Sequence, residues 1–66
     1  MQYADLQALI RRSSSARRYF LTLPPALQLR LHAQNDRIHS AEELHLRAAQ
    51  TAAQAHAEAL ADSRLR

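Results

Sequence analysis

The densest run of chemically capable side chains is Arg37-Ile38-His39-Ser40-Ala41-Glu42-Glu43-Leu44-His45, with two imidazoles and two carboxylates inside seven residues. On a helix, Glu42 and His45 stand three apart and project from one face, the pairing used in di-iron carboxylate bundles. Those centres take two such pairs and two further carboxylates. With one pair, a site would need a symmetric dimer and added ligands such as Asp5, Asp36 or Glu58. Zinc is served worse, because His32, His39, His45 and His56 lie seven, six and eleven residues apart, never the spacing that sets two imidazoles on one helix face. There is no Cys to supply a thiolate. The same run has a simpler local reading. Ser40 followed by Glu43 is a capping box, in which the hydroxyl accepts from the Glu43 amide and the carboxylate returns to the Ser40 amide. Glu42 and Glu43 also favour the positive end of a helix dipole. His39 falls where a staple residue precedes the cap, and His45 alone is left without a structural duty. The expectation is a helix start, with no metal and no cofactor.

Covalent catalysis has candidate nucleophiles in Ser13, Ser14, Ser15, Ser40, Thr22 and Thr51. The chain has no Gly, so neither a nucleophile elbow nor a phosphate-cradling glycine loop can be built, and 66 residues leave little room for a pocket of ~300 Å³. A non-enzyme acting on no small-molecule substrate is expected. Phosphate recognition has better material. Arg11, Arg12, Arg17 and Arg18 cluster beside Tyr19 and Phe20, and Arg30 follows. Residues 1–33 carry five Arg against Asp5 alone, while residues 34–66 carry four Arg against five acids, so the halves are +4 and −1. A basic front half suits nucleic acid, an anionic membrane surface or an acidic protein face. Segments 25–34 and 41–62 resemble a helix-turn-helix in outline, but the second begins Ala41-Glu42-Glu43, where phosphate would be repelled. Nucleic acid would therefore be held by Arg11, Arg12, Arg17, Arg18 and Arg30 through its backbone, without base reading. The plain alternative is a solvated or acid-paired basic surface. All nine cations are Arg, which suits forked hydrogen bonding and is equally what GC-rich coding produces. Arg11-Arg12-Ser13-Ser14 also fits a basic-directed phosphorylation site, a match common by chance.

These side chains must be positioned by a small helical scaffold. Ala supplies fourteen residues and Leu eleven, and Val, Gly, Lys and Trp are absent, a usage that favours helix over strand. Tyr3, Leu6, Leu9 and Ile10 share one helical face, predicting a first helix at 3–12. Ser13-Ser14-Ser15 should break it, because Ser caps better than it continues, and a second helix follows at 15–22. One uninterrupted helix over 3–22 is the competing reading. Pro24-Pro25 closes that segment and opens the next, with Thr22 or Leu23 at the cap. Residues 25–34 alternate Leu27, Leu29 and Leu31 as a strand would, but no second alternating run exists to pair with, so a helix is expected. Apolar on two sides, it should lie sandwiched between others. A last helix spans 41–63, about 33 Å at 1.5 Å per residue. The core should comprise Leu6, Leu9, Ile10, Phe20, Leu23, Leu27, Leu31, Ile38 and Leu44. The fold class is all-α: one domain, 1–66, a small bundle of three to four helices with a long Ala-rich C-terminal helix.

Chains this short bury only about 60% of the surface that their unfolded form exposes, so a partner or self-association is a usual supplement. The Ala-rich half, AAQTAAQAHAEALA, has no evident partner within the chain. It carries a seam at Leu46, Ala49, Ala53, Ala57 and Leu60, spaced 3, 4, 4, 3, where small residues would let a second helix approach closely. Ala's intrinsic propensity alone could also account for it. The functional expectation is a protein-protein interaction or self-associating module working through this seam, with a nucleic-acid accessory role as the alternative. No apolar run approaches the ~20 residues of a membrane span. MQYADLQ lacks the start of a secretory signal, although LQALIRRSSSARRYFLTL has the Arg- and Ser-rich, acid-poor texture of a mitochondrial presequence. A cytoplasmic protein without a membrane partner is expected. SARRYFLTLPPALQ followed by HSAEELHLRA resembles the short, functionally uncharacterised helical cytoplasmic proteins of gut Gram-positive bacteria, over about residues 14–48. That resemblance implies a bacterial intracellular helical protein and brings no site residues with it.

Overall fold

A computed structural model describes residues 2–64. The elements in order are α1 (Leu6–Arg12), α2 (Ser14–Leu21), α3 (Pro25–His32), a 3-10 turn (Asn35–Arg37) and α4 (Ala41–Arg64). No strand occurs among the described residues, and the all-α expectation holds. Helix α1 starts at Leu6 rather than at Tyr3, because Asp5 takes the cap: its carboxylate accepts from the Ala8 amide at 2.8 Å while its own backbone is extended. The neighbouring Gln7 amide is capped from 28 residues away, by Asn35 Oδ1 at 2.9 Å. Tyr3 instead lies before the helix, its amide donating to the His39 carbonyl at 2.6 Å.

The serine break forms, one residue earlier than the expected 15–22. Ser13 ends one helix and begins the other: its amide donates to the Leu9 carbonyl at 2.9 Å, and its hydroxyl accepts from the Ala16 amide at 3.3 Å. An uninterrupted helix would have lost that second cap. At the prolines the cap is Pro24, not Thr22 or Leu23. Pro24 holds an extended backbone (φ −58°, ψ 146°), and its carbonyl receives the amides of Leu27 and Gln28 at 3.0 Å each. Pro25 then sits at the first helical position, where a missing N–H leaves nothing unpaired. The Gln28 side chain closes the turn by donating to the Leu23 carbonyl at 2.8 Å.

Helices α1 and α2 pack together, α3 packs on α4, and the 3-10 turn packs on α1. Helix α3 runs antiparallel to α4, since Gln34 meets Arg47 and Thr51 while Arg30 reaches Glu58. Leu6, Leu9, Leu31, Ile38 and Leu44 are fully buried, Ala16, Phe20 and Ala48 nearly so, and Tyr3, Ile10, Tyr19, Leu23 and Leu27 pack around them. Every residue of the expected core therefore lies in it or against it. The expected sandwich around α3 does not form: Leu31 is 0% exposed and Leu29 71%, so only one side of this helix is covered. The radius of gyration, 13.1 Å, exceeds the about 10.8 Å of a compact domain of this length, because the 24-residue α4 outruns the short helices packed on it.

Two outcomes check this architecture. Leu31→Ala should cost about 2–5 kcal/mol, comparable to the whole ~3–5 kcal/mol that so small a core supplies, and circular dichroism should find the variant largely unfolded. Leu29→Ala, two residues away, should melt within a few degrees of the parent; equal losses would sink the one-sided packing of α3. At Asp5 the Ala8 amide hydrogen bond lowers the carboxyl pKa below 3.8 against a smaller opposing desolvation, with Asn35, Arg11 and His39 adding to the lowering. A lowered folded-state pKa gives stability that is present above the unfolded value and lost as pH falls through the folded one. Asp5→Ala should therefore melt earlier than the parent at pH 7, with the gap closing in acid below pH 3.8, while Asp5→Asn, which keeps an acceptor, should melt between the two at pH 7.

Candidate functional site

The run 37–45 resolves into structural ties. The Ser40 hydroxyl accepts from the Glu43 amide at 3.2 Å, as a capping box requires, but the Glu43 carboxylate returns to the His39 amide at 3.1 Å instead of the Ser40 amide. His39 Nδ1 lies 3.1 Å from the Tyr3 carbonyl and must donate there, since a carbonyl only accepts. With the Tyr3 amide on the His39 carbonyl, this histidine binds the N-terminal segment to the entrance of α4. Nor is His45 idle: its ring lies 3.9 Å from that of Tyr19, tilted by 38°. His32 meets Phe20 edge-on at 5.3 Å. Among the described residues no three of the His, Asp and Glu side chains gather as a metal site needs. Two of the three would-be added ligands are engaged elsewhere, Asp5 at the α1 cap and Glu58 on Arg30.

One unforeseen polar centre ties α3 to α4. Gln34 Nε2 donates to Thr51 Oγ1 at 3.1 Å and to the Arg30 carbonyl at 3.3 Å, and its Oε1 accepts from Arg47 at 3.2 Å. Thr51, only 5% exposed, thus has a partner for its buried oxygen. A single Gln near a helix end gives no such signal in sequence.

The basic cluster is exposed but divided. Arg11, Arg12, Arg17 and Arg18 all lie at the surface, and among the described residues the one salt bridge is Arg30–Glu58 at 2.8 Å. Arg11 and Arg17 border one groove of about 280 Å³ that Ile10, Phe20, Leu21 and His32 also line. Arg12 borders a different hollow, with Tyr3 and Ala8. Arg30 is held on α3 by Glu58; that hydrogen bond and the attraction of the opposite charge raise its pKa and lower that of Glu58. The aromatics beside the cluster are committed, Phe20 to the core at 4% exposure and Tyr19 to His45.

Helix α4 has two unlike apolar sides. Its inner side presents Leu44, Ala48 and Thr51, all buried, and the half-buried Ala55. Ala52 and Ala55 line a shallow groove with Pro24, Leu27 and Arg30, so α3 partners more of the Ala-rich half than the sequence suggested. Every residue of the seam lies outside. Leu46 is 59% exposed and Leu60 51%, and Ala49, Ala53 and Ala57 are exposed between them. At about 100° per residue, all five fall within about 50° of the direction opposite the buried side. No helix among the described residues is long and apolar enough to cross a membrane. No family model, curated protein or solved structure matches the chain.

Proposed function

We propose that this chain is a protein-interaction module without chemistry of its own, which docks a partner helix along the outward side of α4. The observation that carries the reading is the position of Leu46 and Leu60 on the side of α4 turned away from the core, joined by a track of exposed alanines. Alanines alone would be explained by helix propensity. Two large leucines in the same stripe are not, since in the monomer each leaves more than half of its surface in water. Small residues between larger anchors are what close helix approach uses. The reading suits a soluble protein of the cytoplasm, as the resemblance over residues 14–48 also implies.

A photo-reactive residue placed at Ala53 in the producing cell should form adducts, while one at Ala26, exposed on α3, should form few. Equal or absent crosslinking at the two positions would sink the reading.

A second reading has one specific support: Arg11, Arg12, Arg17 and Arg18 are exposed, and no carboxylate within 4.0 Å pairs with them among the described residues. Held against a nucleic-acid backbone, they would make affinity fall with salt by about 0.9 log units per decade for each phosphate neutralised. Arg11→Gln with Arg17→Gln should then flatten that slope by about two contacts. DNA and RNA affinities that are negligible at 50 mM salt would remove this reading and leave the first intact.

A further inference from the structure

We infer that the groove between α1 and α2 is a docking site of its own, for an acidic segment of a partner protein that carries a large apolar side chain close to a carboxylate. The two helices turn matching sets of residues toward it: Gln7, Ile10 and Arg11 from α1, and Arg17, Phe20 and Leu21 from α2, each spaced i, i+3, i+4. Each set brings one arginine. His32 of α3 completes the lining, meeting the Phe20 ring edge-on at 5.3 Å. The groove is also polarised along its length. Counting from the Ser13 elbow, Arg11 stands two residues away and Arg17 four, whereas Phe20 stands seven and Leu21 eight. Both cations therefore lie toward the elbow, and the apolar lining leads away from them to Leu21, which is 65% exposed.

Charge decides what enters. Neither arginine has a carboxylate within 4.0 Å among the described residues. Asp5, the one acid of the first 33 residues, is held at the other end of α1 by the Ala8 amide, and Arg11 acts on it only through the field of its charge. Two such cations at one end of an apolar groove are complementary to an anion at that end and an apolar body beyond it. A phosphodiester backbone supplies the charge but nothing for Ile10 and Leu21, and Phe20, only 4% exposed, offers no ring face to a base. A membrane surface is met by an apolar face that projects, not by a recess between helices. A small amphiphilic acid would be enclosed over most of its surface in a dedicated pocket, whereas this groove of about 280 Å³ is open to solvent. A peptide suits it better: one apolar side chain enters, the neighbouring carboxylate meets Arg11 and Arg17, and the backbone continues over the surface.

The groove takes no residue from α4, so its test is separate from that of the α4 face. Short random peptides displayed on phage, selected on the full chain and counter-selected on the Arg11→Gln, Arg17→Gln variant, should converge on sequences with an acidic residue close to a large apolar one. Gln keeps the helix propensity of Arg, so the variant should retain the circular dichroism of the parent. The selected peptide, synthesised and titrated to about 1 mM against the isotope-labelled chain, a range that registers weak contacts, should shift the amide resonances of Ile10, Arg11, Arg17 and Leu21. Its affinity should fall about tenfold in the arginine double variant, since one exposed ion pair contributes little by itself. Leu21→Ser, at an exposed position that cannot disturb the core, should weaken binding as well, and so should replacing the acids of the peptide by their amides. A selection that yields no peptide able to tell the parent from the double variant, or one whose peptides lack an acid, overturns the site. So does displacement of the peptide by an RNA or DNA oligonucleotide, or by phosphatidylserine vesicles, at concentrations below those at which the peptide itself binds. None of these outcomes touches the crosslinking expected at Ala53.

Discussion

The fold hangs on one convergence: Leu6 and Leu9 from α1, Leu31 from α3, Ile38 from the loop and Leu44 from α4 meet with no solvent contact. Helices α1 and α3, of 7 and 8 residues, are short enough that each would be marginal alone in water, so they exist because the rest of the cluster covers their apolar sides. With no Cys to staple the chain, this cluster is the common condition for every other contact. The polar ties lie around its edges. Asp5 and Asn35 finish the start of α1, Ser13 joins α1 to α2, Gln34 binds α3 to α4, and His39 closes the N-terminal segment onto the head of α4.

The consequence for function is a division between the two sides of α4. Its inner side is consumed in holding the domain together, with Leu44 and Ala48 in the core and Thr51 held by Gln34. Its outer side leaves Leu46 and Leu60 more than half exposed. The groove bordered by Arg11 and Arg17 takes no residue from this helix, and the neighbouring rings are engaged, Phe20 in the core and Tyr19 with His45.

Much of this was legible in the residues. Apolar spacing identified the core because helical period and burial are one fact seen twice, and the prolines and serines marked their own breaks through backbone chemistry. What escaped was non-local. Asn35 capping the amide of Gln7, or Gln34 bridging Arg47 and Thr51, depends on which segments meet, and no local pattern encodes that. His45 has no local partner because Tyr19 lies on another helix, and the alternating leucines of α3 imply two covered sides although only the side of Leu31 packs. The seam was visible as spacing. Its outward direction emerged only once the inner side of α4 was known to be filled.

No described residue has a positive φ, and the chain has no Gly, so every change of direction is made in ordinary backbone regions and fixed by side chains such as the Ser13 hydroxyl and the Asn35 amide. Where glycine makes a turn, replacing it introduces strain; here, replacing the capping side chain only removes a preference. The elbow at Ser13 is thus held by a side-chain cap alone, whereas the one at Pro24 and Pro25 is held by rings that fix φ, so a polar substitution reaches the first and not the second.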